Sequence, residues 1–177
     1  MTVEFKIDSA DFERLSKAFH QLPARMQEQV MARAYGRSRS VVERTYAQLA
    51  SARMDVAQKH IKARMRSYIT PDAMMLVVKS QQIPLDEIGG KQNRRGVAVP
   101  LRGTYRSAFI AKGGKGAGRI LKRKGSARYP TMRLFGPNPA GEANRNPPVY
   151  EGMLGEIARG VFFQEVARGV SYMLGRL

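Results

Sequence analysis

The chain of 177 residues is long enough for a single domain over 1–177, and its hydrophobic fraction of 43% is too high for an intrinsically disordered protein. It has no cysteine, which excludes a disulfide framework, a thiolate nucleophile and a cysteine-based zinc site. Its 31 basic and 14 acidic residues give a net charge of +17, which favours a polyanionic partner. No apolar run approaches the roughly 18 residues of a membrane span, and the N-terminus has no secretory signal pattern, so we expect no membrane and assembly in a cytoplasm.

The N-terminal part is predicted to be a strand followed by a helix. Residues 3–8, "VEFKID", alternate apolar and polar side chains, as a half-buried strand does. Asp8 or Ser9 can then cap a helix, because either side chain can accept a hydrogen bond from the first free backbone amides. Its apolar side is formed by Phe12, Leu15 and Phe19, and we expect it to end before Pro23.

Two more helices are expected before the sequence pattern changes. Pro23 suits the first turn of a helix that we predict from Ala24 to about Leu49. Gly36 weakens that helix by about 1 kcal/mol relative to alanine, so a break near it is one alternative. A shorter helix is predicted over 55–67, "DVAQKHIKARMRS".

From Tyr68 onward the sequence is typical of short antiparallel strands separated by glycine, proline or asparagine. The predicted strands lie in the segments AMMLVVKS, GVAVPL, SAFIAK, RILKRK and TMRLFG. Two segments are predicted to be linkers, the cationic glycine loop "KGGKGAGR" and the proline-rich "GPNPAGEANRNPP".

A helical pattern returns over 149–177, where four glycines indicate that the helix needs close packing against a neighbour. We therefore predict an α+β fold, with an N-terminal strand and helices packed on an antiparallel β-sheet and a C-terminal helix. Within the single domain, 1–67 holds the strand and helices, 68–136 is a basic β-rich part, and 149–177 is the C-terminal helix.

The positive charge is concentrated in one stretch. Residues 88–141 contain thirteen lysines and arginines and no aspartate or glutamate, whereas 142–177 carry four charges of each sign. A polyanion facing this stretch would relieve its self-repulsion. A solvated basic surface that serves solubility alone is the other interpretation.

The patterns of catalysis are not found, so we predict a protein that is not an enzyme and uses no cofactor or metal. "GGKGAGR" departs from a phosphate-binding loop, because Arg119 and Ile120 follow in place of Lys and a hydroxyl residue. The two histidines lie far apart in sequence, and a surface or packing role is expected for each. Asp86 and Glu87 are expected at a loop edge without partners.

The candidate contacts to DNA or to an acidic partner are basic residues of this stretch. The first choices are Arg119, Lys122, Arg123, Lys124, Arg128 and Arg133, and the second choices, on loops, are Arg94, Arg95, Lys112 and Lys115. Such contacts would bind phosphate without reading sequence. A solvated strand edge, on which lysines prevent aggregation, is the alternative. Four aromatic residues among them could stack on bases or fill the core: Tyr105, Phe109, Tyr129 and Phe135.

The segment "YRSAFIAKGGKGAGRILKRKGSARYPTMRLFGP", Tyr105–Pro137, resembles the signature region of the prophage minor tail protein Z family of lambda-like tailed phages. Members have a strand similar to 108–111, a glycine-containing basic turn as at 113–118, a basic strand as at 119–124, and a proline-bearing strand ending in Gly-Pro as at 130–137. The opening of the chain is also similar to the strand-then-helix start of many phage tail-completion proteins.

The resemblance implies a structural virion protein that is made in the host cytoplasm and completes the tail at its head-proximal end, in the neck where head and tail join. It also implies a homo-oligomeric ring matching the six-fold tail, next to tail terminator, tail tube or head–tail connector proteins, with genomic DNA passing through. The alternative is a small cellular protein that binds nucleic acid independently of sequence.

Overall fold

The computed structural model describes residues 9–71 and 73–175. About 54% helix and 20% strand confirm the α+β class. The strand predicted over 3–8 lies outside the described residues. Within the described parts, no helix combines the length and apolar character needed to cross a bilayer.

In the described residues, three α-helices come first, then eight strands with one short α-helix among them, and three α-helices come last. The helices are α1 Ser9–His20, α2 Ala24–Met54, α3 Gln58–Lys62, α4 Leu85–Ile88, α5 Pro139–Arg145, α6 Pro147–Ile157 and α7 Phe163–Leu174. The strands are β1 Met65–Ile69, β2 Met74–Val78, β3 Lys91–Asn93, β4 Gly96–Val99, β5 Gly103–Arg106, β6 Ala108–Ile110, β7 Ile120–Arg123 and β8 Thr131–Arg133.

The described chain forms two compact units. The first comprises the described parts of 1–46, 66–77 and 147–177, and the second comprises 47–65 and 78–146. The strands are divided among three small sheets, β1–β2, β3–β4–β5 and β6–β7–β8. The expected antiparallel pairing is confirmed, but the strands form three sheets where one was expected. Ser107, between β5 and β6, has a φ of 60°, and this left-handed residue turns the chain out of one ladder and into the next.

Among the predicted helices, α1 and α2 are confirmed, and α2 passes through Gly36 without a break. The prediction of a helix over 55–67 is confirmed only for α3 and is wrong for the rest of that stretch. Met65 and Ser67 are buried while Arg66 and Tyr68 are exposed, a period-two pattern that belongs to β1. This stretch therefore pairs with β2 in a two-stranded sheet.

In the first unit, α7 packs closely on α1 and α2. Leu22, Val30 and Val170 are buried together, and a Cβ built at Gly169 would lie 2.9 Å from Cγ1 of Val30. The prediction that a glycine in the C-terminal helix marks close packing is confirmed at this position. The C-terminal helix itself comprises α6, a π turn over Ala158–Phe162, and α7.

The π turn sends two adjacent phenylalanines to different helices. The ring of Phe162 stacks on Tyr35 of α2 with centroids 5.1 Å apart. The ring of Phe163 stacks on Phe12 of α1 with centroids 6.2 Å apart. A π turn holds one residue more than an α-turn, and the two phenylalanines at its end anchor this part of the helix to both α1 and α2.

In the second unit, the core lies between the two three-stranded sheets and α4. Its buried members are Leu85, Val97, Val99, Ala108 and Ile120. Gly96 is required where β4 meets β5, because its φ is 151° and a Cβ there would lie 2.1 Å from the carbonyl oxygen of Tyr105. This close approach lets β5 pair with β4 along its whole length.

The linker predicted over 136–148 contains a helix, α5, and the prediction is wrong there. The Asn138 side-chain oxygen accepts a hydrogen bond from the Ala140 amide at 3.2 Å, and Pro139 occupies the first turn. Both residues are favoured at a helix N-terminus. Glu142 of this helix accepts a 2.7 Å hydrogen bond from Nε of Arg53.

Candidate polyanion-binding surface

The sheet β6–β7–β8 has one face that packs on the core and an outer face that carries Arg123 and Arg133. Leu121 of β7 lies between Phe109 of β6 and Arg133 of β8, and Arg123 pairs with Thr131. Side chains of directly paired residues share a face, and positions two apart along a strand do so as well. On the opposite face, Ala108 and Ile120 are buried in the core, so these five side chains point away from it.

A glycine-rich loop connects β6 to β7 beside this face. The Gly118 amide donates to the Ala111 carbonyl at 2.8 Å, and the Ala111 amide donates to the Arg119 carbonyl at 3.0 Å, which closes the loop at its base. Gly114 and Gly118 have φ of 72° and 80°, a left-handed conformation that glycine adopts easily and that residues with a Cβ disfavour. The loop thereby presents its basic side chains beside the outer sheet face.

The outer sheet face, the loop and the segment before β8 surround an open depression of about 1170 Å³. We call it the basic depression. Its basic side chains are Lys112, Lys115, Arg119, Arg123, Arg128 and Arg133, and no aspartate or glutamate among the residues that the structure describes lines it. Clefts lined by charge of one sign concentrate counter-ions of the other sign.

Arg133 is the member of this set that has an acidic partner. Its Nε and Nη2 donate to Oδ1 and Oδ2 of Asp86 at 3.0 and 2.5 Å. The hydrogen bonds from Arg133 hold the pKa of Asp86 below its usual value, and they raise that of the guanidinium. Within residues 9–71 and 73–175, the other five make no ion pair closer than 4 Å.

The prediction that Asp86 and Glu87 have no partner is wrong. Both lie in α4, and Glu87 receives a hydrogen bond from Nη2 of the buried Arg64 at 3.0 Å. The Nδ1 atom of His60 is 3.4 Å from the same carboxylate oxygen. The two acids therefore balance arginines that come from distant parts of the sequence.

Six of the ten predicted contact residues are brought together by the basic depression, and four are not. Lys122 lies on the other face of β7 from Arg123, because side chains alternate along a strand. Lys124 follows the end of β7, and Arg94 and Arg95 form the turn between β3 and β4. All four are exposed, and none lines the depression.

Two of the four aromatic residues line the basic depression. The Arg123 guanidinium carbon lies 6.0 Å from the ring centroid of Phe109, and that of Arg128 lies 5.7 Å from the centroid of Tyr129. Tyr105 instead packs against the core of the second unit. Phe135 is exposed outside the depression.

Gln92 is a residue of this surface that the sequence analysis missed. Its Nε2 donates to the Gly96 carbonyl at 2.8 Å, and its Oε1 accepts from the Ile110 amide at 2.8 Å. The side chain thus ties the β3–β4–β5 sheet to the free edge of β6 at the rim of the depression. No sequence pattern marks such a position, because the role depends on which strand ends meet.

Comparison with protein-family models, with curated proteins and with solved structures gave no match. The similarity of Tyr105–Pro137 to the minor tail protein Z family therefore stays a prediction. Among the residues that the structure describes, no group of three or more histidines and carboxylates is placed to hold a metal ion. The basic depression is therefore the candidate functional site.

Proposed function

We propose that this chain is a non-catalytic structural protein of a tailed phage, a tail completion protein at the head-proximal end of the tail. In this proposal the basic depression binds the phosphate backbone of DNA without reading sequence. The observation that carries it is the set of five basic side chains that surround one depression without an acidic partner in the described chain.

Phosphate binding is the chemistry that suits this arrangement. Arginine and lysine that neutralise phosphates release condensed counter-ions, so affinity for DNA comes from charge and falls steeply with salt. Among the described residues of the lining there is no carboxylate to repel a phosphate, and of the six basic residues only Arg133 is offset, by Asp86. Three of the five unpaired groups belong to the glycine loop and its end, where the backbone leaves their side chains exposed.

The phage setting rests on the similarity of Tyr105–Pro137, which spans β6, β7 and β8. A ring of six chains, each with a charge of +17, would repel itself strongly. DNA in the channel, or acidic surfaces of tail terminator, tail tube or connector proteins, would relieve that repulsion. In this proposal, ring assembly is therefore favoured when a polyanion is present.

The deciding experiment is the mass of the purified protein in solution by light scattering, with and without short duplex DNA, at low and moderate salt. We expect a ring-sized oligomer of the 19.8 kDa chain, and a DNA-dependent increase in mass that is lost as salt rises. A monomer that binds nucleic acid saturably at physiological salt would instead identify a cellular binding protein. A ring that ignores DNA would assign the charge to an acidic protein neighbour.

A second experiment tests the virion assignment separately. Phage tails assembled with and without this protein would be compared by mass and by their ability to join heads. The proposal expects the protein to be incorporated and the head-joining step to require it. Its exclusion from mature tails would overturn the virion assignment even if DNA binding were found.

A further inference from the structure

Two aromatic side chains of the basic depression are not needed for phosphate binding. Tyr129 is 69% exposed, and it lies beside Arg128 in the segment that enters β8. Phe109 lies half-buried on the outer sheet face, beside Arg123. Both rings line the same depression as the unpaired cations.

The core does not account for these rings. The apolar face of the β6–β7–β8 sheet is already filled by Ala108, Ile110 and Ile120, which pack with Leu85 and the β4 strand. Phe109 and Tyr129 line the depression instead, where Tyr129 is exposed and Phe109 keeps part of its ring in solvent. An exposed aromatic ring among unpaired cations is instead the arrangement that binds bases and phosphates together.

An undistorted duplex offers such rings no free base face, because its bases are stacked on one another inside the helix, and inserting a ring between them costs unstacking energy. A duplex lying across the depression would offer it phosphates and sugars, and the cations alone would contribute. An unpaired strand offers both phosphates and free base faces. Aromatic rings and arginine planes stack on those faces with little sequence preference.

We propose that the basic depression binds single-stranded polynucleotide in preference to duplex, with Tyr129 and Phe109 as stacking platforms and the surrounding cations on the phosphates. The inference rests on the proposed function for its phosphate contacts, and it adds the stacking contribution. Single-stranded DNA and RNA share this chemistry, since both present free bases on a phosphate backbone.

The test measures the affinity of the full chain for fluorescent oligo(dT), oligo(rU) and a duplex of equal length. Tyr129→Ala removes the exposed ring, and Tyr129→Phe keeps it. Tyr68→Ala, in β1 of the other unit, removes a tyrosine that is 49% exposed and serves as the matched control. Circular dichroism and thermal unfolding of each variant establish that it is folded.

We expect Tyr129→Ala to weaken single-strand binding by about five- to 150-fold, the range for losing one base stack, and to leave duplex affinity within about twofold. Tyr129→Phe and Tyr68→Ala should behave as the parent chain does. A tighter complex with oligo(rU) than with oligo(dT) would identify RNA as the source of the strand, and the reverse would identify DNA.

Equal weakening of single-strand and duplex binding by Tyr129→Ala would overturn the inference, and so would no weakening of either. In both cases salt-sensitive duplex binding would still uphold the proposed function. If none of the three nucleic acids bound at low salt, the phosphate-binding part of the proposed function would fail as well.

Discussion

Arg133 of β8 and Asp86 of α4 form a two-point ion pair, although 47 positions separate them in sequence. The Asp86 side chain is 15% exposed and the Arg133 side chain 31% exposed, so water screens the pair only in part. The pair fastens β8, one border of the basic depression, to the short helix that follows β2. It also distinguishes Arg133 from the other five basic residues of the depression.

The first prediction concerns the pH dependence of stability. Because the hydrogen bonds from Arg133 lower the pKa of Asp86, the ionised carboxylate stabilises the fold above its unfolded pKa of about 3.9. This contribution is lost as pH falls through the lowered pKa of the folded state. Urea unfolding should show wild type about 1–3 kcal/mol more stable than Asp86→Asn at pH 7, with a difference that shrinks below about pH 4.

Glu151→Gln is the control for removing one negative charge, since Glu151 is exposed within α6 and outside this pair. It should lie close to wild type in free energy of unfolding at pH 7. A difference between wild type and Asp86→Asn that stayed constant from pH 7 to pH 3 would show that the ionised pair is not its source.

The second prediction separates Arg133 from Arg123. Arg133→Gln should lower the free energy of unfolding by about 1–3 kcal/mol, because it leaves Asp86 without its charged donor. Arg123→Gln should change stability by less than about 0.5 kcal/mol and weaken duplex DNA binding more than Arg133→Gln does. Chemical denaturation and fluorescence titration of the two variants measure both quantities. If Arg133→Gln weakened duplex binding more than Arg123→Gln does, Arg133 would face the ligand despite its partner.

The third prediction concerns which basic residues meet phosphate. Replacing Lys112, Arg119 and Arg123 with alanine removes three cations of the depression, so the slope of log affinity against log salt should fall by about 2.7 for duplex DNA. The matched control replaces Lys122, Lys124 and Arg94, which are equal in number and charge but lie outside the depression. We expect the control to reduce the slope by less than about 1 unit. Equal reductions would favour a diffuse basic surface.

The fourth prediction uses two helical glycines that differ in surroundings. A Cβ at Gly36 of α2 would meet no atom of the described residues within 4 Å, so Gly36→Ala should stabilise the fold by about 0.5–1 kcal/mol. At Gly169 of α7 the same methyl would lie 2.9 Å from the buried Val30 side chain. Gly169→Ala should therefore destabilise the fold by about 1–3 kcal/mol. Thermal unfolding checks the opposite signs, and a stabilising Gly169→Ala would mean that α7 does not pack on α2 as described.

Strong periodicity and turn chemistry made much of the fold predictable. The stripes of α1 and α2, the five strand segments and the C-terminal helix have regular patterns, and each is present in the structure. The strands β3 and β5 lack an apolar alternation, since "KQN" is polar throughout and "GTYR" has Tyr105 as its one large apolar side chain. They form because β4 is buried between them, which is a tertiary effect that a local pattern does not contain.

The missed features of the candidate site also depend on distant contacts. Asp86 and Glu87 are adjacent in sequence, and their partners Arg133 and Arg64 can be assigned only when α4 meets β8 and the end of α3. The separation of Lys122 from Arg123, in contrast, follows from strand alternation and was accessible from sequence. The helix α5 was accessible too, through its Asn-Pro start, but its proline and glycine content favoured a linker.

The π turn over Ala158–Phe162 changes the phase of the C-terminal helix. Before it, the buried positions Met153 and Ile157 are four residues apart, and after it Val166 and Val170 are again four apart. From Ile157 to Val166 the step is nine, one more than two α-helical repeats of four. Shortening the turn by one residue would rotate all that follows by about 100°, carrying Val170 and Gly169 away from Val30 while leaving the helix intact. One backbone residue thus sets the angular position of α7.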